Sequence, residues 1–212
     1  MSITIIGTGN MAKGIATRVV AGGHSVQLHA KDASKGGALA NELKADAPSG
    51  VTVEVKAIGS PTDEVVILAI PYTEVASVAE QYADKLNAKV VVDITNPVDF
   101  NTFQLIPAAG MSGAEEIAKL LPNSKVVKAF NTTFAGTLGA GEVDGKPLDV
   151  FVAGDDQAAK ATVSQLIKDG GLRPVDVGPL SNSRHLEGLG LMHMALQDQL
   201  GSGWMSAIKI LG

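Results

Sequence analysis

Residues 5–14 read Ile5-Ile6-Gly7-Thr8-Gly9-Asn10-Met11-Ala12-Lys13-Gly14. A buried-strand pattern, Ser2 to Ile6, leads into this stretch and a helical pattern, Met11 to Ala21, leads out of it. After the Gly22-Gly23 break, His24 to His29 alternates like a strand, which makes a β-α-β unit. In a dinucleotide loop the first glycine permits a tight turn and the second lets the backbone approach a pyrophosphate. A small third residue lets the helix pack closely on the strand. Gly7, Gly9 and Ala12 match those three roles, with Asn10 and Met11 opening the helix whose N-terminus would face the phosphates. A glycine pattern is cheap in a chain with 24 glycines. Its position between a strand and a helix is what separates it from a bare turn.

Working outward, Asp32 to Ala47 reads as a second helix ending before Pro48, and Val51 to Val55 as a short strand. Glu64 to Ile70 is a continuous apolar strand stopped by Pro71, followed by a helix from Thr73 to Leu86. Lys89 to Ile94 is a strand closed by Asn96-Pro97, Gly113 to Leu121 a helix stopped by Pro122, and Lys125 to Phe130 a strand. Asp149 to Ala153, Asp155 to Asp169 and Leu172 to Val177 give strand, helix and strand, the last placed at a sheet edge by Pro174. Asn182 to Leu211 reads as one long helix or two. Strands apolar on both faces, separated by amphipathic helices, imply an α/β fold: a doubly wound, Rossmann-type, mostly parallel sheet. The expected organisation is a dinucleotide-binding domain over 1–180 and a C-terminal helical segment over 181–212. That segment, with Leu189, Leu191, Met192, Met194, Leu196, Leu200, Trp204 and Met205, carries more apolar surface than one sheet face needs. The sequence therefore predicts packing against another subunit, in a homodimer.

The 212 residues are 45% hydrophobic and 18% charged, a globular composition without a disordered tract. A net charge of −5 argues against a nucleic-acid partner, because phosphate backbones need clustered Lys and Arg. There is no cysteine, so disulfides, thiolate nucleophiles and cysteine-ligated metals are excluded. No apolar run reaches the roughly 18 to 20 residues of a membrane span, and a strand begins too early for a signal peptide. The expectation is a soluble, cytoplasmic protein. His185 and His193 are eight apart, too far for one metal ion, and no Gly-x-Ser-x-Gly elbow is present. The sequence predicts no metal site.

In such a sheet the ligand lies over the carboxyl ends of the strands. Three loops matter: Ile70-Pro71-Tyr72, Thr95-Asn96-Pro97-Val98 and Asn131-Thr132-Thr133-Phe134. Pro71 and Pro97 stiffen their loops, and Tyr72 and Asn96 are candidates to touch the nicotinamide ribose or carboxamide. Proline and asparagine are also ordinary turn residues. Asn131, leaving an apolar strand where the substrate ring should sit, is the candidate to position the reacting groups. After the second strand, His29-Ala30-Lys31-Asp32 offers no carboxylate in its first three places for a ribose 2′-hydroxyl. Lys31 can pair with a 2′-phosphate, with Thr8, Ser34 and Lys35 nearby. This favours NADP(H) over NAD, while plain solvated charge is the alternative for the lysines. Asp32 precedes Ala-Ser-Lys and reads as a helix cap.

The chain resembles the deazaflavin-dependent NADP oxidoreductases, which exchange hydride between NADP and coenzyme F420, and the related reductase domain of the STEAP metalloreductases. The resemblance rests on Gly7-Thr8-Gly9-Asn10-Met11, Lys125-Val126-Val127-Lys128-Ala129-Phe130-Asn131, the turn Ala153-Gly154-Asp155-Asp156, and the run Gly171 to Arg184 (GLRPVDVGPLSNSR). It implies NADP on the glycine loop, with Thr8, Ala30 and Lys31 at the family's 2′-phosphate positions, where the family has Thr, Ser and Arg. Lysine keeps the charge but not arginine's bidentate fork. It also implies a second substrate of flavin or deazaflavin type, such as F420. The family's deazaflavin enzymes carry a histidine where this chain has Asn131, and Asn-Thr resembles the metalloreductase branch more closely.

Hydride transfer between stacked rings needs alignment more than acid or base. The expected activity is an NADP(H)-dependent oxidoreductase acting on a flavin-like or other small-molecule acceptor. A dinucleotide-binding sensor without turnover is one alternative. A reductase of a small ketone or imine is another, with Tyr72 or His193 as proton donor.

Overall fold

The structure, a computed structural model, describes residues 1–57, 59 and 61–211. The first half contains strand β1 (Ser2–Ile6), helix α1 (Asn10–Ala21), β2 (Ser25–Ala30), α2 (Ala33–Ala45), β3 (Val53–Ala57), β4 (Val65–Leu68), α3 (Tyr72–Tyr82) and β5 (Val90–Asp93). A small hairpin follows, β6 (Val98–Asp99) and β7 (Gln104–Leu105), then α4 (Gly113–Leu120) and β8 (Lys125–Lys128). Beyond these lie α5 (Ala135–Ala140), a second hairpin of β9 (Glu142–Val143) and β10 (Lys146–Pro147), β11 (Asp149–Gly154), α6 (Gln157–Asp169) and β12 (Arg173–Asp176). Helices α7 (Ser183–Ala195) and α8 (Gln197–Leu200) complete the regular structure.

Eight strands form one sheet in the order β12-β11-β8-β5-β4-β1-β2-β3. All neighbours from β8 to β3 pair in parallel, while β11 runs antiparallel to β8 and carries β12 parallel to itself. Alternation along the central strands shows why they read as continuous apolar runs. Val65, Ile67, Val90 and Val92 face the layer of α1, α2 and α6. Val66, Leu68 and Val91 face α3 and α4. Both faces are buried, so β4 is apolar throughout and β5 is apolar up to Asp93. Pro174 sits on β12, at the sheet edge, where a missing N–H costs no ladder bond.

The order reverses between β1 and β4, the switch point at which a doubly wound sheet opens a crevice. The loops after β1 and β4 meet there, and those after β5 and β8 extend the crevice to one side.

The expected terminal helix departs from the structure. Helix ends at Leu200, where Gly201 takes a left-handed φ of 60° and Gly203 repeats it at 59°. Residues 201–211 then run back in no regular element. Their end is fastened at Asp149, whose fully buried carboxylate accepts from Arg173, from Lys209 Nζ at 2.8 Å and from the Ile210 N–H at 2.9 Å. Two glycines inside an apolar, Met- and Leu-rich stretch were enough to end a helix that hydrophobic spacing alone would continue.

Candidate active site

Gly7 sits at φ +118°, and a Cβ there would lie 2.2 Å from the Ala69 carbonyl oxygen. The loop is thus pressed against the end of β4, and its N–H donates to the His29 carbonyl at 3.0 Å. Gly9, by contrast, has nothing within 4 Å of a Cβ position, and it is the N-cap of α1. Helices α2, α4 and α6 are capped by the side chains of Asp32, Ser112 and Asp156. Helix α1 has no side-chain cap and no acidic residue in its first turn. Its first N–H groups stay available and its positive dipole end is uncompensated, which is how a helix receives a phosphate.

Two cavities meet over this terminus. One, of about 250 Å³, is lined by Gly7, Thr8, Gly9, His29, Lys31 and Lys35 on one side and by Ile70, Pro71, Glu74 and Val78 on the other. The second, of about 610 Å³, runs from Gly9, Asn10 and Met11 past Ile70, Pro71 and Tyr72 to Asn96, Asn131 and the aromatic side chains Phe100, Phe134 and Trp204. Gly9, Ala69, Ile70 and Pro71 are common to both. A compartment lined by charged side chains and a larger aromatic one are thus joined across a bare helix N-terminus.

The floor of the larger cavity is held by an asparagine pair. Asn131 Nδ2 donates to Asn96 Oδ1 and to the Leu186 carbonyl, both at 2.9 Å, and Asn96 Nδ2 donates to the Asn131 carbonyl at 2.7 Å. Asn131 Oδ1 is buried with no partner among the described residues, an acceptor of the kind a carboxamide N–H would satisfy. The turn that presents Asn131 requires Phe130 at φ 63°, a left-handed conformation uncommon for an aromatic residue and held by full burial.

Beneath the pair lies a wholly buried ion cluster. Lys128 Nζ donates to Asp93 Oδ2 at 2.7 Å, Glu187 Oε1 at 3.0 Å and the Thr95 carbonyl at 2.6 Å. Glu187 also accepts the N–H groups of Gly113 and Ala114 at the start of α4. Burial acts to lower the Lys128 pKa, but Asp93 and Glu187 outweigh it and hold the ammonium pKa above its ordinary value. The same burial pushes the Glu187 carboxyl up, against the pull of Lys128. The cluster fixes the Thr95-Asn96 turn to β8 and ties α7 into the sheet.

Of the two candidate proton donors, neither is free. The Tyr72 hydroxyl donates to Glu116, and burial, then that bond and the Glu116 charge, raise its pKa. His193 is buried, stacked on Phe134 with ring centroids 4.3 Å apart, with its nitrogens against the Thr132 carbonyl and the Ser206 hydroxyl. Burial lowers its pKa.

Most sequence-predicted residues meet here: Gly7, Thr8, Gly9, Asn10, Met11, Lys31, Ile70, Pro71, Tyr72, Asn96 and Asn131 line one cavity or the other. Four do not. Ala12 is buried in α1 against the sheet, and Ala30 packs under Gly36 of α2. Pro97 packs on Gly113 of α4, and the Ser34 hydroxyl donates to Asp32, the cap of α2. Sequence reasoning missed Phe100, on a hairpin too short to show periodicity, and Glu74, which pairs with Lys31. It passed over His29 as a strand end and did not place Trp204, which the non-helical tail brings onto Phe134.

The fold and cavity define a class: a Rossmann-type nicotinamide-dinucleotide oxidoreductase. The sequence model for coenzyme F420-dependent NADP oxidoreductases matches residues 2–97. The F420-dependent NADP reductase of Methanocaldococcus jannaschii is 31% identical over 203 residues, covering 89% of each chain. Metalloreductase STEAP3 of Rattus norvegicus is 35% identical over 189 residues, and the chain spans 36% of its length. A solved structure from Arthrobacter sp. FB24 superposes with a TM-score of 0.85 at 28% identity, covering 99% of both chains. The chain belongs to the coenzyme F420-dependent NADP oxidoreductase family, and it is an NADP-dependent oxidoreductase. Among the described residues no helix is long and apolar enough to cross a membrane.

Proposed function

We propose that the protein binds NADP(H) across both cavities and passes hydride between it and a planar, fused-ring acceptor of flavin or deazaflavin type. The observation that carries this reading is the uncapped N-terminus of α1, set between a compartment lined by charged side chains, Lys31 and Lys35 with Asp32 and Glu74, and an aromatic one. The 2′-phosphate end would lie by Thr8, Lys31 and Lys35, with Ser34 close behind, and the pyrophosphate over Gly7 to Met11. Ala12, Ala30 and Pro97 act by packing, shaping the loops. The nicotinamide would meet Asn96, Asn131 and Tyr72, with Asn131 positioning its carboxamide through the unpartnered Oδ1. Bound NADPH supplies the hydride, while the chain orients the rings and excludes water.

A flat acceptor is favoured over a small ketone or imine because the cavity that Asn131 lines is about 610 Å³ and carries the aromatic side chains Phe100 and Trp204, and because Tyr72 and His193 are engaged. Phe100 is 73% exposed at the cavity, where Met194 and Trp204 also line it, and the 181–212 segment exposes Met192, Leu200 and Met205. A homodimer formed by the 181–212 segment would bury those side chains. The cytoplasm, where NADPH is held reduced, is the proposed compartment. The test is anaerobic mixing of protein and NADPH with an F420-type deazaflavin, FMN, riboflavin and a panel of carbonyls and imines. Oxidation with the fused-ring acceptors and not with the panel is expected; turnover of the carbonyls or imines alone overturns the acceptor assignment.

A further inference from the structure

His29 is almost completely buried, and neither ring nitrogen has a hydrogen-bond partner among the described residues. Two orphaned nitrogens on one buried ring are costly and uncommon in a folded protein. The position is set by the strand: Val26 and Leu28 of β2 face the α1 and α2 layer, so His29, one residue out of phase, is directed to the α3 side. There it lines the 250 Å³ cavity with Thr8, Lys31 and Lys35. The groups that face it are Lys56 on β3, Asp63 ahead of β4, Glu74 on α3 and the Lys31-Asp32-Lys35 turn. Burial first, and then Lys56, lower its pKa, with Asp63 opposing, so the ring is neutral in the free protein near pH 7.

The imidazole is neutral and unpartnered in a compartment whose Lys31 and Lys35 are matched by Asp32 and Glu74, so a phosphate that takes the place of Glu74 at Lys31 would face both lysines and the ring. The ring can donate one strong hydrogen bond to a phosphate oxygen, and a dianion beside it favours the imidazolium. Adenine offers no comparable reason for lysines on the same wall. We propose that His29 is a cofactor-specificity residue of this chain, which hydrogen-bonds the 2′-phosphate of NADP(H) together with Lys31 and takes up a proton from solvent as it does so. The inference rests on the reading that the smaller cavity holds the adenosine end of the dinucleotide. Glu74, paired with Lys31 in the free protein, is displaced by the phosphate.

The test is binding of NADPH and NADH to wild type, His29→Gln and His29→Leu, by fluorescence titration at several pH values, alongside thermal unfolding of the free proteins. His29→Gln and His29→Leu should each weaken NADPH by about tenfold near pH 6.5 and leave NADH within about twofold. Free His29→Leu should melt no lower than wild type, since it removes two unsatisfied nitrogens. The 2′-phosphate itself titrates with a pKa of about 6, so the diagnostic is the difference between proteins. Wild type should lose NADPH affinity relative to His29→Gln as pH rises from about 6 to about 8.5, because proton uptake becomes harder. Equal losses for NADPH and NADH overturn the phosphate assignment, and so does no loss for either or an unfolded His29→Leu with unchanged NADPH affinity in His29→Gln. Failure of wild type to bind any dinucleotide would instead overturn the functional reading beneath it.

Discussion

Lys128→Met isolates the buried cluster that carries the Thr95-Asn96 turn. Lys128, Asp93 and Glu187 are all essentially inaccessible, and one ammonium answers two carboxylates through bonds of 2.7 and 3.0 Å. Removing one partner of a buried pair costs about 3–5 kcal/mol, because the remaining charge is left desolvated. Here Asp93 keeps the Thr95 N–H and Glu187 keeps those of Gly113 and Ala114, which offsets part of the loss. A destabilisation of about 3 kcal/mol is expected in urea unfolding at pH 7, with an unchanged m value. Its pH dependence carries a sign. The folded pKa of Glu187 already lies above its ordinary 4.5, so its contribution is most favourable below that value and is lost as pH rises through the folded pKa. Without Lys128 the folded pKa climbs further, and the variant's deficit should shrink between about pH 7 and about pH 5. Adding Glu187→Gln, which keeps an acceptor for α4 and removes a charge, should recover more than about 1 kcal/mol. A loss under about 1 kcal/mol at pH 7, or one indifferent to both pH and the second substitution, would refute the cluster's role.

The glycine loop separates folding from binding. Gly7→Ala, placed 2.2 Å from the Ala69 oxygen at a positive φ, should cost about 3 kcal/mol or more, whereas Gly9→Ala should fold within about 1 kcal/mol of wild type yet bind NADPH at least about tenfold more weakly. Asp149 anchors the tail: burial raises its pKa, but Arg173, Lys209 and the Ile210 N–H outweigh it and hold it at about 2. Against its ordinary 3.8 this is worth about 2 kcal/mol, present above pH 4 and lost as pH falls toward 2, and Asp149→Asn should show that loss at pH 7 with a change in Trp204 fluorescence. Tyr72→Phe should leave the NADPH oxidation rate within about threefold and its pH profile unmoved, since the hydroxyl is bound to Glu116; loss of one limb of the profile would restore Tyr72 as a proton donor.

The core of the fold was legible because its signals are local. A strand, a glycine turn and a helix occupy 20 consecutive residues, and the two-faced burial of β4 and β5 leaves continuous apolar runs that need no partner to be recognised. Asp32 could be read as a cap from its neighbours alone, and it is one, accepting from Ser34 and Lys35. What sequence could not give depends on contacts between distant segments. The hairpin of β6 and β7 is two residues per strand, so Phe100 carries no periodic signal, yet it forms a wall of the site. Lys128 follows two valines in its strand as a buried charge, and only the approach of Asp93, 35 residues before, and Glu187, 59 residues on, explains it. The tail was read as helix because its apolar spacing is helical, and the left-handed Gly201 and Gly203, with the Asp149 anchor, turn it back over the cleft instead.

The central claim is that the joined cavities hold NADPH with its nicotinamide at Asn131, facing a planar acceptor. The direct measurement is anaerobic single-turnover mixing of the protein with NADPH, deuterated in turn on each face of C4, and an oxidised F420-type deazaflavin or flavin. One NADPH oxidised per acceptor reduced, a primary isotope effect from one face only, and a slowing of at least about tenfold in Asn131→Ala are predicted. NADPH that binds but is oxidised by no fused-ring acceptor, or a transfer rate indifferent to Asn131, would contradict it.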